Sequence, residues 1–165
     1  MPTTESSTTT VTRRGDREIV IIREFDAPRE LVFKAITDPK LVPNWWGPIR
    51  YTTIVDKMDV RPGGAWRFIN RGPDGEHGFK GVYREIVPPQ RIVQTFEWEG
   101  LPGHVSVETL ILEEIEGKTR ITATSVFDTK EDRDGMWQSG AESGARETWD
   151  RFAEVLLDLQ RKTRT

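Results

Sequence analysis

The hydrophobic and polar positions of this chain fall into short alternating runs followed by one long helical repeat. Arg17 to Phe25 (REIVIIREF) is β-branched and too short for a helix, and it predicts a strand with much of its surface covered. Asp26-Ala27-Pro28 then starts a helix, with Asp26 as its cap and Leu31, Val32, Ala35 and Ile36 as its buried stripe. Thr37-Asp38-Pro39 starts a second short helix through Leu41 and Val42, which Pro43 stops. From Tyr51 the pattern alternates with period two, broken by turn residues at Arg61–Gly64, Gly72–Gly75, Pro88-Pro89, Gly100–Gly103 and Glu116-Gly117. Six strands follow from these breaks: Tyr51–Asp59, Ala65–Asn70, His77–Val87, Arg91–Trp98, His104–Ile115 and Lys118–Phe127. With the first, that makes a seven-stranded antiparallel meander.

The last stretch, Asp132 to about Lys162, places Trp137, Ala141, Gly144/Ala145, Trp149/Phe152, Leu156 and Leu159 at three- and four-residue spacing, which predicts one long amphipathic helix. Acids at its start and bases at its end suit the helix dipole, and Glu142 with Arg146 and Glu147 with Arg151 are spaced as ion pairs. Its inward face is bulky from Trp149 onward but slim at Gly140, Ala141, Gly144 and Ala145. A glycine inside a helix costs about 0.5–1 kcal/mol relative to alanine. Either the backbone approaches the sheet closely there, or the small residues roof a cavity bounded by Met136 and Trp137.

Alternation assigns one face of the sheet to Trp66, Phe68, Phe79, Gly81, Tyr83, Ile92, Gln94, Phe96, Trp98, Thr109, Ile111, Ile121, Ala123 and Phe127. The other face, with Arg67, Lys80, Arg84, Thr95, Glu97, Glu108, Arg120, Thr122 and Thr124, is the solvated one. The sheet is expected to curl around the helix, aromatic face inward. Of the adjacent indoles in Asn44-Trp45-Trp46-Gly47-Pro48, one is expected to plug the core while the other lines an entrance.

Composition narrows the chemistry. With 165 residues the expectation is one domain, residues 16–165, preceded by a disordered Ser/Thr-rich tail over 1–15. There are no cysteines, which removes disulfides, thiolate metal sites and cysteine nucleophiles; nothing suggests export, so cytoplasm is the expected compartment. A net charge of -3 argues against a nucleic-acid footprint, and no apolar run is long enough to span a bilayer. The two histidines, His77 and His104, lie beside Gly-rich turns without metal-ligand spacing. No nucleophile elbow or phosphate loop is present, so neither a metal nor a cofactor is expected. Glu85 and Glu99 are the carboxylates nearest the aromatic face by alternation, and both read as solvated strand-end acids.

The strings AP-RELVFKAITDP, NWWGP, Asp59 to Arg67 (DVRPGGAWR), GVYREIVPPQRIVQTFEWEG and GM…SGAESGARETWDRFAEVLLDL together resemble the activator of heat-shock-protein-90 ATPase homologue family, a branch of the START and birch-pollen-allergen-like superfamily. The resemblance covers roughly Arg17 to Leu159. It implies an α+β helix-grip fold: a strongly curved seven-stranded antiparallel sheet gripping a long C-terminal helix, two short helices after the first strand, and a cavity between sheet and helix. The superfamily spans lipid carriers, receptors, cyclases and co-chaperone domains, so the fold alone does not name the ligand.

The expected function is binding of a small hydrophobic ligand, aromatic or lipid-like, in a stress or specialised-metabolism setting. The expected lining is Trp46, Trp66, Phe68, Phe79, Tyr83, Gln94, Phe96, Trp98, Met136, Trp137 and Ala141, with Gln94 and Tyr83 orienting a polar substituent. Two alternatives stay open. One is a co-chaperone-like regulator of a heat-shock-protein-90 ATPase. The other is a cyclase or aldol-type enzyme in which the dry cavity raises the pKa of an inward glutamate, or Tyr83 or His104 acts. Monomer and homodimer are equally compatible with the sequence.

Overall fold

The architecture follows from one sheet and the helices it holds. In this computed structural model, which describes residues 9–164, the strands are β1 (Thr10–Arg14), β2 (Glu18–Phe25), β3 (Thr52–Met58), β4 (Ala65–Gly72), β5 (Gly75–Val87), β6 (Arg91–Trp98), β7 (Val105–Ile115) and β8 (Lys118–Val126). They form a single antiparallel sheet in the order β1-β2-β8-β7-β6-β5-β4-β3. The helices are α1 (Arg29–Thr37), α2 (Lys130–Gln138) and α3 (Ala141–Arg164), with a single 3-10 turn over Val42–Asn44. This is the helix-grip fold. Register shifts between Val55 and Lys57 in β3 and between Tyr83 and Glu85 in β5 are bulges, which bend and twist a strand and so help the sheet curl around α3.

Four local expectations need correction. The sheet has eight strands: the seven expected correspond to β2–β8, and Thr10–Arg14 adds an edge strand within the stretch expected to be a disordered tail. Residues 1–8 of that stretch lie outside the described residues. β1 holds a single buried apolar residue, Val11, and exists because its backbone pairs with β2. Second, Asp26 does not cap α1; Pro28 precedes it, with no side-chain cap bond. Third, Pro43 sits inside the short 3-10 turn instead of stopping a helix.

Fourth, the terminal helix is two helices. The chain breaks at Ser139-Gly140, where Gly140 adopts φ +101°, a conformation that L side chains rarely adopt. Thr129 caps α2, its Oγ1 accepting from the Asp132 amide at 3.0 Å. The buried Arg133 fastens α2 to the β1–β2 hairpin by donating to the carbonyls of Gly15 (2.9 Å) and Glu18 (3.1 Å).

The C-terminal half of α3 is packed solid. Phe152 is 0 % exposed and meets Phe25 at 5.1 Å and Trp45 at 4.8 Å between ring centroids, both edge-on, while Trp149 stacks on Trp45 at 5.9 Å. Val32, Ala35 and Ile36 of α1 and Leu156 of α3 complete this core. Burying a side chain of this size contributes about 1.5–3 kcal/mol, which anchors α3 independently of its other half. Arg23 of β2 points into the same layer, 3 % exposed. Its guanidinium lies 5.2 Å from the Phe25 ring centroid and donates to Asp150 at 2.7 Å and Thr9 at 2.9 Å, tying α3 to the far edge of the sheet.

Candidate functional site

Beneath the first half of α3 the space is empty. A cavity of about 390 Å³ lies between the concave face of the sheet and the turn of helix carrying Ala141, Gly144 and Ala145. A Cβ built on Gly144 would meet nothing within 4 Å, so α3 roofs open space there, while Ala141 and Ala145 beside it also touch the Val11, Ile19 and Phe127 cluster. Two alternatives from the sequence are thereby separated.

The walls are aromatic. Trp66 and Phe68 on β4, Phe79 and Tyr83 on β5 and Phe96 on β6 all face the cavity, with Trp46 from the loop after the 3-10 turn. Trp46 meets Phe68 at 5.1 Å, Phe79 at 5.3 Å and Trp66 at 6.4 Å, in each case edge-on. Phe79 and Phe96 stack at 5.6 Å. Trp66 lies across Gly81, its pairing partner on β5, and donates from Nε1 to the Thr95 carbonyl at 3.2 Å. A Cβ at Gly81 would come 2.5 Å from that indole nitrogen and 1.9 Å from that carbonyl oxygen, so this glycine is what lets the ring lie flat on the sheet.

The adjacent indoles divide the work. Trp45 is the plug, buried and donating from Nε1 to the Ala35 carbonyl at 3.1 Å, while Trp46 turns into the cavity. The loop between them and β3 is clamped by α3. Arg151 donates to the carbonyls of Gly47 (2.6 Å) and Asn44 (3.1 Å), and Glu147 accepts from the Ile49 amide at 2.5 Å. The ion pair expected between Glu147 and Arg151 is therefore replaced by bonds to this loop, whereas that between Glu142 and Arg146 forms at 3.1 Å.

Gln94, Met136 and Ala141 also line the cavity. Trp98 and Trp137 do not. Trp98 pairs with Phe79 but lies at the end of β6, where it is 40 % exposed and borders a neighbouring space of about 290 Å³. That space shares Phe96, Ser106, Phe127 and Met136 with the main cavity and is bounded by His104 and Asp132, whose Nδ1 and Oδ1 are 2.7 Å apart. Trp137 packs instead beside Val11, Ile19 and Phe127 under the β1–β2 hairpin, with the Arg13 guanidinium 4.8 Å from its centroid.

The larger surprise is a carboxylate. Glu108, assigned above to the wet face, points into the cavity, while Thr109 and Ile111, assigned inward, fall on the other face. The register decides it: Gln94 pairs with Glu108 and Ile92 with Leu110, and across the next ladder Ala123 pairs with Leu110 and Ile121 with Leu112. Glu108 accepts from Gln94 Nε2 at 3.2 Å and is partly buried in the cavity lining. Burial pushes its carboxyl up to about 7, against the opposing effect of the Gln94 bond. Burial likewise raises the Tyr83 phenol above its ordinary value, and its hydroxyl has no hydrogen-bond partner among the described residues. Asn70, Ser106, Ser125 and Thr148 are further polar lining residues that alternation missed.

Glu85 and Glu99 are occupied elsewhere: Glu85 pairs with Arg91 at 3.0 Å, and the Arg67 guanidinium, 2.7 Å from Glu99, holds that carboxyl below its ordinary range. No helix among the described residues is long and apolar enough to cross a membrane.

Residues 26–157 match the sequence profile of the family described as Activator of Hsp90 ATPase homolog 1-like protein. The chain belongs to this family. Solved structures of the same fold include a solution structure of a protein from Arthrobacter aurescens, 27% identical with a TM-score of 0.83 over 90% of this chain and 91% of that one. A crystal structure of a protein from Rhodobacter sphaeroides is 23% identical with a TM-score of 0.85, over 92% of this chain and 99% of that one. A Staphylococcus epidermidis protein is 25% identical with a TM-score of 0.78, over 90% and 94%. No curated protein matches the chain. Membership in the Activator of Hsp90 ATPase homolog 1-like family agrees with the helix-grip architecture.

Proposed function

We propose that this protein binds a small, predominantly apolar molecule, aromatic or lipid-like, between its sheet and the first half of α3. The observation that carries the reading is the cavity of about 390 Å³ under Ala141, Gly144 and Ala145, within the size range of small-molecule sites. A closely packed interior normally tolerates few such voids. Trp46, Trp66, Phe68, Phe79 and Phe96 supply the apolar contact and exclude water; Tyr83, Gln94 and Glu108 supply the few polar atoms that orient a guest. Amide NMR against a panel of two- and three-ring aromatic molecules and fatty acids tests it. Shifts confined to these residues and lost in Gly144→Leu support the reading; no shift across the whole panel sinks it.

A second reading has one observation in its favour. A carboxyl titrating near 7 in an aromatic-walled cavity suits general acid–base chemistry on a cyclisation or aldol-type substrate. Mass spectrometry of a bound guest after prolonged incubation separates the two: recovery unchanged means carriage, a converted product means catalysis. The family description also motivates a co-chaperone assay, in which stimulation of a heat-shock-protein-90 ATPase by this protein is the positive result.

A further inference from the structure

Gln94 pairs with Tyr83 on one side and Glu108 on the other, and Glu108 pairs with Ser125, so four polar side chains on β5, β6, β7 and β8 form one row across the cavity floor. The row toward one end is apolar, with Ile92, Leu110 and Ala123; toward the other end Phe96 pairs with Ser106, and Phe79 lies one row beyond. Within the polar row the acceptor capacity is unspent. One Glu108 oxygen accepts from Gln94; the other has no partner among the described residues and is not sealed off. Glu108 also lacks a counter-charge. Among the described residues the cavity lining contains no lysine, arginine or histidine, and Tyr83 is its only other titratable group. α3 contributes Ala141, Gly144, Ala145, Thr148 and Trp149, α2 contributes Met136, and the loop contributes Trp46, Gly47 and Pro48, none of them ionisable.

A buried carboxylate without a cation is costly unless something pairs with it, and aromatic ring faces attract cations. We propose that the guest carries a basic nitrogen on an aromatic or otherwise apolar body, its ammonium donating to the free oxygen of Glu108 while the rings of Trp46, Trp66 and Phe96 enclose the rest. The assignment rests on the binding function proposed above and names the ligand class for the same cavity. A guest of the opposite polarity, an apolar carboxylate, meets a like charge on the floor and is rejected.

Three probes of one shape test this: 2-(2-naphthyl)ethylamine, 2-(2-naphthyl)ethanol and 2-naphthylacetate, titrated into the protein with amide NMR as the readout. The expected ranking at pH 8 is amine first, by roughly tenfold over the alcohol, with the acid weakest. The amine stays protonated from pH 6 to 8 while Glu108 ionises, so its affinity should rise about tenfold across that interval, the ratio of ionised fractions for a group titrating near 7. Glu108→Gln keeps the shape and should bring amine and alcohol to the same affinity and abolish the pH dependence. Equal binding of all three probes by the wild type, or an amine affinity flat with pH, overturns the charge assignment and leaves the cavity-binding function standing. Failure of all three probes to bind overturns both.

Discussion

The two halves of α3 rest on the same sheet yet solve opposite problems. Around Trp149, Phe152 and Leu156 the gap is closed by rings packed at 4.8 to 5.9 Å, and a charged side chain that enters the layer, Arg23, brings its own partner in Asp150. Around Ala141, Gly144 and Ala145 the gap is left hollow, and the charged side chain that enters it, Glu108, has only a glutamine. A fold can thus carry a void when an adjoining block of the same helix supplies the cohesion. The solid half fixes where the helix lies; the hollow half exploits that placement.

The contrast can be broken most severely from the solid side. Phe152→Ala removes a side chain that is fully enclosed and should destabilise the protein by about 3–5 kcal/mol in denaturant unfolding. A value below about 1.5 kcal/mol would mean the packed half does not anchor the helix. The next effect concerns Glu108. Its folded pKa is raised to about 7, above the unfolded value, so the native state binds the extra proton and wild-type stability falls as pH climbs from about 4.5 to 7. Glu108→Gln removes this dependence, and at pH 8 it should be more stable than the wild type by up to about 3 kcal/mol, with the difference vanishing near pH 4.5. A constant difference across that range would place Glu108 in contact with water.

Filling the hollow separates space from stability. Gly144→Leu adds a side chain where a Cβ meets nothing within 4 Å, so unfolding should change by less than about 1.5 kcal/mol while uptake of aromatic probes is lost; strong destabilisation with intact binding would contradict the cavity. The smallest expected change is in Gly144→Ala, where open space and a helical position together predict a gain of about 0.5–1 kcal/mol with binding retained.

Much of this was legible in the residues. Alternation brought Trp66, Phe68, Phe79, Tyr83, Gln94 and Phe96 to one face, because Trp66-Arg67-Phe68, Phe79-Lys80-Gly81 and Phe96-Glu97-Trp98 each set a charge between inward positions and the bulge in β5 lies beyond Tyr83. It failed on β7, where Leu110, Ile111 and Leu112 are consecutive and the charge of Glu108 reads as the wet side. The turn held the missing information. Glu116 and Gly117 both adopt positive φ in a two-residue hairpin that pairs Ile115 with Lys118. Counting back from that pair with Ile121 and Ala123 inward puts Leu112, Leu110 and Glu108 inward too. β1 and the break at Gly140 were less readable. The first depends on pairing with β2 more than on its own side chains, and in the second a glycine among small residues looks the same whether it continues a helix or ends one.

The polar row on the cavity floor has one more consequence. Its members stand on neighbouring strands, so the distance from one to the next is set by backbone hydrogen bonding at about 4.8 Å and not by the side chains themselves. The floor is a comb with a fixed pitch: exchanging a tooth alters which polar group stands there, but the interval between one group and the next is inherited from the sheet.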